Sequence, residues 1–156
     1  MLEIVAVYET NLDQAAAIHS VSWKASHRAF CAPDFVEMHT PDRQRAYLHS
    51  KMSGGAKLYM LVDERPIGIV SVTGSLIEDL YVLPDMQSRG YGTQLLRYAI
   101  DRCADTPTLW ILENNANAER LYRRMGFERT GRRKSVTNGL DEIEFALTLS
   151  RGEKSF

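Results

Sequence analysis

The chain has 156 residues, of which 19 are lysine or arginine and 20 are aspartate or glutamate, so its formal net charge is −1. This length is typical of one domain with a sizeable core, and we expect residues 1–156 to form a single domain. The balanced charge disfavours a general nucleic-acid binder, which needs an excess of cations to compete for phosphates. Two cysteines and no long apolar run favour a cytoplasmic protein without a disulfide framework and without a membrane span.

The first half of the sequence predicts one strand, two helices and then three strands. Apolar residues at helical spacing follow Asn11, which is a typical helix cap, and Pro41 is a typical first-turn residue of the second helix. The connections between the three strands are short, so the strands form an antiparallel meander. The predicted ranges are Ile4 to Tyr8 for the first strand, Leu12 to Ala25 and Pro41 to Met52 for the helices, and Leu58 to Val62, Ile67 to Thr73 and Leu76 to Leu83 for the meander.

The second half alternates helices with short strands. An apolar stripe at helical spacing indicates a helix over Gly92 to Ala104, and Gly126 is placed to end the next helix. Asn138 and Gly139 are typical of a tight turn between two final strands. The remaining predicted ranges are Leu109 to Leu112, Asn117 to Met125, Phe127 to Gly131 and Glu142 to Leu149. This order predicts a mixed α+β fold rather than a doubly wound parallel sheet.

The most informative segment is the loop after the meander, where two glycines lie one residue apart just before a helix. Glycine lets backbone amides approach a ligand, and the first turn of a helix carries unpaired N–H groups. Together they predict an anion cradle that suits a pyrophosphate. A dinucleotide-binding fingerprint would have a third glycine at the position of Leu95, and a P-loop would end in Gly-Lys-Ser/Thr, which does not follow Gly92. The segment therefore fits neither of these two phosphate-binding motifs. The cradle residues are Gln87, Ser88, Arg89, Gly90, Tyr91, Gly92 and Thr93.

Two adjacent acids, Glu78 and Asp79, stand in the otherwise apolar third strand of the meander. Because side chains alternate along a strand, we expect the two carboxylates on opposite faces of the sheet. Burying an unpaired carboxylate is costly, so the pair indicates a site unless this part of the strand is exposed to solvent.

The segment Gln87 to Gly92 resembles the Q/R-x-x-G-x-G/A motif of the general control-related N-acetyltransferase (GNAT) superfamily. Leu80 to Pro84 resembles the strand that precedes this motif, and Asn114 to Phe127 resembles a second characteristic block of the family. The two blocks stand in the family's order and spacing, and so do the elements from Ile4 to Leu149. The resemblance implies a mostly antiparallel central sheet flanked by helices, with a splayed parallel strand pair in the middle.

The resemblance also implies an enzyme that binds acetyl-CoA and passes the acetyl group to an amine by direct attack. The amides from Gln87 to Thr93 would hold the pyrophosphate, and Arg89 is either a further contact or a solvated loop residue. Asn117 matches a family asparagine that bonds the pantetheine chain, or it caps a helix, and Asn114 is a weaker candidate of the same type. The strand residues that would pair through their backbone with the pantetheine amides are Leu80, Tyr81 and Val82.

The catalytic expectations come from the same resemblance. Tyr122 matches the family tyrosine that protonates the leaving thiolate, and its alternative is an ordinary core role; a phenol with a pKa of ~10 is a credible donor to a thiolate with a pKa of ~8.5. The family often has a glutamate near the meander strand that accepts the proton of the amine, directly or through water. Glu78 is the first candidate for this base, and Asp79 is the second.

The sequence does not identify the acceptor, which is a small amine, an amino acid, a polyamine, an antibiotic, a peptide N-terminus or a protein lysine. It does not decide the oligomeric state either, and a homodimer is one alternative. The four histidines are far apart, so we expect no metal site. An alternative function is an acyl-CoA-binding regulatory module without turnover. The residues that either pack in the core or line the acceptor cleft are Trp23, His27, Arg28, Phe30 and Phe35. The basic residues that form a solvated face, or contact a cofactor phosphate or an acidic acceptor, are Arg129, Arg132, Arg133 and Lys134.

Overall fold

The computed structural model describes residues 1–29, 31–137 and 139–148, apart from the side chain of Thr137. Within these residues, one sheet is flanked by helices on both faces. The strands are β1 Leu2–Ala6, β2 Lys57–Asp63, β3 Arg65–Thr73, β4 Leu76–Val82, β5 Thr108–Leu112, β6 Phe127–Thr137 and β7 Leu140–Leu147. The helices are α1 Leu12–His27, α2 Pro33–Glu37, α3 Pro41–Ser53, α4 Tyr91–Arg102 and α5 Ala116–Arg124, with a 3₁₀ turn over Pro84–Met86.

The strands lie in the order β1-β2-β3-β4-β5-β7-β6, and every neighbouring pair is antiparallel except β4 and β5. The parallel pair is joined only where Leu76 lies opposite Thr108, at the beginning of both strands. Beyond that point β4 and β5 separate. The mixed α+β fold, the antiparallel meander and the splayed parallel pair are therefore confirmed.

Each face of the sheet has its own apolar core. On one face Leu95 and Leu96 of α4 pack with Phe127 and Phe145, and all four are fully buried. The apolar stripe predicted for α4 is confirmed, since Ala99, Ile100 and Cys103 complete it. The core of the other face joins α1 and α3 to the sheet through Leu12, Leu48, Met60 and Ile69.

A β-bulge interrupts β4 at the two acids. Ser71 lies opposite Glu78 and Ile69 lies opposite Tyr81, so a single residue of β3 faces two residues of β4. Asp79 adopts a left-handed conformation with φ of +53°. This extra residue resets the alternation of side chains. Both carboxylates consequently reach the amine of Lys51 on α3, and the prediction that they lie on opposite faces is wrong.

Other differences concern the ends of helices. The side chain of Asn115 accepts a bond from the Ala118 amide and caps α5, so the capping role considered for Asn117 belongs to Asn115. Asn11 precedes α1 but bonds backward, accepting from the amide of Tyr8, rather than capping the helix. The short helix α2 lies between the two helices predicted for the first half, where no element was predicted, and Pro33 starts it. Asn138 of the predicted turn and Leu149 lie outside the described residues.

Candidate active site

Two cavities lie beside the bulge of β4 and share part of their lining. The larger one, of about 630 Å³, occupies the opening between β4 and β5 and extends to α5. The smaller one, of about 380 Å³, lies between α1, α3 and the strands β4 to β7. We call them the splay cavity and the helix-side cavity. The residues that line both are His27, Glu78, Asp79, Tyr81, Trp110 and Glu142.

Two strand edges form the facing walls of the splay cavity. Ile77–Val82 of β4 forms one side, including Leu80, Tyr81 and Val82, and Leu109–Leu112 of β5 forms the other. Because the two strands are joined only at their beginning, the main-chain groups that face each other farther along are available to a bound ligand. An extended amide chain inserted there would pair with them as an added strand does.

The glycine turn ties the end of β4 to the start of α4. The side-chain amide of Gln87 donates to the Val82 carbonyl at 3.1 Å, and Ser88 and Gly90 both adopt left-handed φ values of +64° and +86°. A side chain at Gly90 would point into open space, so the turn needs glycine for its conformation and not for lack of room. No side chain of this fully described turn caps α4, which leaves its first amides without acceptors.

Not every residue of the predicted cradle lines the splay cavity. Gln87 does, whereas the stretch 88–93 lies outside its lining and forms the edge beyond it. Arg89 is exposed and donates to the Asp85 carbonyl at 3.4 Å. A side chain placed at Gly92 would meet Val82 and Leu121 at an ordinary contact distance of 3.9 Å, so this position lies beside β4 and α5.

The splay cavity also contains the predicted residues of the second block. Tyr122 is buried, its ring packs edge-on against Phe127 at 6.0 Å between centroids, and burial raises its pKa to about 12. Its phenol therefore keeps its proton at neutral pH and is able to donate it. Asn114 and Asn117 line the cavity from exposed positions, and the Asn117 side chain accepts a bond from Arg120.

A cluster of charged groups lies at the junction of the two cavities. The Asp79 carboxylate accepts bonds from His19 Nε2 at 3.0 Å, Lys51 Nζ at 2.7 Å, Ser71 Oγ at 3.1 Å and Tyr47 Oη at 3.2 Å. Burial by itself raises the pKa of Asp79, but the bond from His19 and the charge of Lys51 outweigh burial and lower the pKa to about 2. Asp79 is thus a fixed anion.

Glu78 shares Lys51 with Asp79 but has more freedom. One carboxylate oxygen accepts from Lys51 Nζ at 2.7 Å, and 39% of the side chain is exposed, compared with 8% for Asp79. Burial lowers the pKa of Lys51, but Asp79 and Glu78 raise it by more, so Lys51 remains a cation. Glu78 is therefore the carboxylate of the pair that a substrate can approach.

Sequence reasoning missed the partners of these acids. His19 is buried between the rings of Tyr47 and Tyr81, and its Nδ1 bonds the Gln44 amide at 2.7 Å. A signal was present, since His19 stands on the apolar face of α1 and Ser71 stands in the apolar strand β3. Polar residues at such positions need partners.

Aromatic rings dominate the helix-side cavity. Trp23 is stacked between His27 and His39, with centroid distances of 3.9 and 3.5 Å. Burial lowers the pKa of His27, which keeps this imidazole neutral at pH 7. Trp23 and His27 line the cavity as expected for cleft residues, whereas Phe35 packs against the Trp23 edge and Arg28 lies 3.9 Å from Glu37, away from the lining. Phe30 lies outside the described residues.

The basic run of β6 is matched by acids. The ion pairs are Arg129 with Glu119, Arg132 with Glu144, Arg133 with Glu113 and Asp141, and Lys134 with Glu142. Arg132 and Lys134 both lie over the Trp110 ring, 5.6 and 4.3 Å from its centre, but of these four basic residues Lys134 alone lines the helix-side cavity.

The described ranges contain neither a metal-binding cluster nor a membrane-spanning helix. Over 1–29, 31–137 and 139–148, no group of three or more histidine, cysteine, aspartate or glutamate side chains is arranged to hold a metal ion. In the same part of the chain, no helix combines the length and the apolar character that crossing a bilayer requires.

Comparison with known proteins gives a consistent result. The sequence model of the family described as acetyltransferase (GNAT) domain matches residues 21–149. The peptidyl-lysine N-acetyltransferase YjaB of Escherichia coli is 29% identical over 122 residues, which are 77% of this chain and 78% of YjaB. YjaB of Salmonella typhimurium is 33% identical over 79 residues, which are 49% of this chain and 54% of that relative, about half its length.

Solved structures share the fold. The solution structure of apo-form YjaB from Escherichia coli aligns with a TM-score of 0.68 and 22% identity, over 95% of this chain and 98% of that one. The PaiA N-acetyltransferase from Thermoplasma acidophilum, solved in complex with coenzyme A, aligns with a TM-score of 0.70 and 16% identity, over 93% of this chain and 98% of that one.

Proposed function

The chain belongs to the GNAT family of acetyltransferases, and we propose that it transfers an acetyl group from acetyl-CoA to a primary amine. The observation that carries the proposal is the meeting of two cavities at Glu78, the more exposed of the two β4 carboxylates. The splay cavity contains Tyr122, to which we assign the proton donor, and Glu78 lines both cavities. A transfer between two substrates needs two such spaces that touch at the reacting atoms.

The residues of the splay cavity fit acetyl-CoA. The uncapped start of α4 offers amides to a pyrophosphate, and the separated edges of β4 and β5 offer main-chain partners to the amides of pantetheine. The PaiA relative of similar fold was solved with coenzyme A. When bound, acetyl-CoA supplies the acetyl group as an activated thioester.

We assign the proton transfers to Glu78 and Tyr122. An amine with a pKa of ~10.4 arrives protonated and must lose a proton before it can attack. Glu78 takes that proton, directly or through water, before the neutral amine forms the N–C bond. Tyr122 donates its proton to the departing sulfur as the C–S bond breaks. The bulge of β4 leaves main-chain groups outside the ladder of hydrogen bonds with β3. A main-chain N–H of this kind would polarise the thioester carbonyl while the amine attacks it.

Asp79 remains the second candidate for the base, but its surroundings favour an anchoring role. Its carboxylate already accepts hydrogen bonds from four protein groups, and its pKa of about 2 makes it a weak proton acceptor. Asp79 holds Lys51 in place, and Lys51 in turn holds one oxygen of Glu78.

A lysine side chain in a peptide is the acceptor that we place first. The relatives from Escherichia coli and Salmonella typhimurium are named peptidyl-lysine N-acetyltransferases. The aromatic walls of the helix-side cavity suit the methylene stem of such a side chain, and Glu78 suits its ammonium group.

The test combines binding with turnover. Coenzyme A is titrated calorimetrically, and thiol release from acetyl-CoA is then measured over a panel of lysine peptides and small amines. We expect binding and release, and we expect Glu78→Gln to lower kcat/KM by about 100-fold with coenzyme A affinity retained. Glu128→Gln, at an exposed position of β6, is the matched control.

Two outcomes would contradict the proposal. Binding of coenzyme A without thiol release from any amine would support a regulatory module. Failure to bind coenzyme A would exclude both functions.

A further inference from the structure

One basic residue of the described lining of the helix-side cavity stands outside its ion pairs. The carboxylates of Glu78 and Asp79 share Lys51, and Glu142 is paired with Lys134. Arg43 lines the same cavity from an exposed position on α3, and the part of the chain that the structure describes contains no acidic partner for it. The rim of the cavity therefore carries a positive charge that is available to a substrate.

The position of Arg43 relates it to the reaction centre. Arg43, Tyr47 and Lys51 stand four residues apart and so follow one face of α3. Lys51 and Tyr47 contact the carboxylates of β4, and Arg43 lies about 12 Å from Lys51 along the helix axis, at a rise of ~1.5 Å per residue. One face of α3 thus runs from the floor of the cavity to its rim.

A second cation faces the cavity from the sheet. Lys134 of β6 lies over the Trp110 ring, and its Nζ is 3.5 Å from a Glu142 oxygen. About half of the Lys134 side chain is exposed. Because exposed ion pairs of this kind contribute little in water, Lys134 can exchange Glu142 for another carboxylate at small cost.

Resting on the function proposed above, we propose that the enzyme prefers an acceptor lysine that has an acidic residue next to it in the peptide. The lysine side chain crosses the cavity between the Trp23 stack and Trp110, and its ammonium reaches Glu78. The peptide backbone then lies at the rim, and each neighbouring residue is at most about 3.6 Å farther along. A carboxylate there binds Arg43 and Lys134, so these two are specificity-determining residues.

The experiment uses three peptides that differ only in the residues on both sides of one lysine, which are glutamate, glutamine or lysine. We expect kcat/KM to be highest for the glutamate peptide, intermediate for the glutamine peptide and about 10-fold lower for the lysine peptide. The difference between the peptides should be smaller at high salt, because the contacts are exposed. Affinities of the same peptides for the coenzyme A-saturated protein are measured by calorimetry, and they should follow the same order.

A charge reversal tests the assignment of the residue. Arg43→Glu should invert the order of the three peptides. The variant should fold well, because Thr40 already accepts a bond from the amide of residue 43 and a glutamate there completes a capping box. Arg97→Glu makes the same change at an exposed position of α4 that lines neither cavity, and it should leave the order unchanged.

The outcomes separate the two proposals. Equal affinities for the three peptides, or an unchanged order in Arg43→Glu, would overturn the acidic preference. The expected order of affinities without thiol release from any peptide would support the preference and contradict the proposed transferase activity.

Discussion

The two cavities that meet at β4 are built from different parts of the polypeptide. The splay cavity lies between the edges of β4 and β5, and the cofactor contacts proposed for these edges and for the amides at the start of α4 depend mainly on backbone geometry. The helix-side cavity is lined by side chains of α1, α3 and Trp110, which are held by buried hydrogen bonds and stacked rings. This difference separates two tasks. A backbone site binds the same ligand with many sequences, whereas a side-chain site changes its ligand when single residues change.

The largest expected effect is at the glycine turn of the splay cavity. Gly90→Glu places a side chain at φ of +86° and adds a negative charge beside the uncapped amides of α4. We expect coenzyme A affinity to fall at least ~100-fold, which corresponds to about 2.7 kcal/mol. Calorimetric titration measures it.

Gly74→Glu is the matched control for that variant. Gly74 lies between β3 and β4, also has a left-handed φ, of +62°, and also faces open space, so the strain and the charge are similar. We expect this variant to keep its affinity for coenzyme A. Retained affinity in Gly90→Glu itself would mean that the turn is only structural.

The next effect tests whether chemistry and binding are separate within the splay cavity. Tyr122→Phe removes a proton donor but no main-chain contact, so kcat should fall by about 100-fold while coenzyme A affinity stays within about 2-fold. Steady-state kinetics and calorimetry give the two quantities. Tyr98→Phe on α4, outside the lining of both cavities, should change neither. An unchanged kcat in the first variant would remove Tyr122 from the acid role.

The smallest effect concerns the buried charges of the helix-side cavity. The pKa of Asp79 is about 2 in the folded chain and 3.8 as its ordinary value, so its ionisation stabilises the fold above about pH 4. That stability is lost as the pH falls through 2. Between pH 4 and pH 2, the free energy of unfolding should fall by roughly 2 kcal/mol less in Asp79→Asn than in the unchanged protein.

Urea unfolding at several pH values measures that difference. Asp105→Asn, at an exposed loop position, is the control and should behave like the unchanged protein. An identical pH dependence in Asp79→Asn would mean that the network does not hold this carboxylate ionised. Coenzyme A affinity should change little in Asp79→Asn, although Asp79 lines both cavities, since the proposed cofactor contacts are made mainly by the backbone.

The same contrast explains what could be predicted from the sequence. The conformation of a turn depends on residues that are neighbours in the chain. The junction of loop and helix before α4 was therefore predicted correctly from its glycines, and the antiparallel meander from its short connections. The cluster around Asp79 was not predicted, because its partners His19 and Lys51 are 60 and 28 residues away in the chain. The left-handed residue at the bulge, Asp79, also shifts the alternation of side chains along β4. A two-residue repeat of apolar and polar residues in the sequence does not predict such a bulge. At α5 the cap was misplaced by two residues, from Asn115 to Asn117, which is the usual uncertainty of a helix end.

The single point of pairing between β4 and β5 has a consequence for the dynamics of the sheet. In most sheets the central strands have the slowest amide hydrogen exchange, because both of their edges are bonded and buried. Here the two central strands are joined only at Leu76 and Thr108, so the amides that face the opening should exchange early, ahead of those in the β2–β3 pair. A ligand that fills the gap would make this region the slowest to exchange, so deuterium uptake in the middle of the sheet should report occupancy of the splay cavity directly.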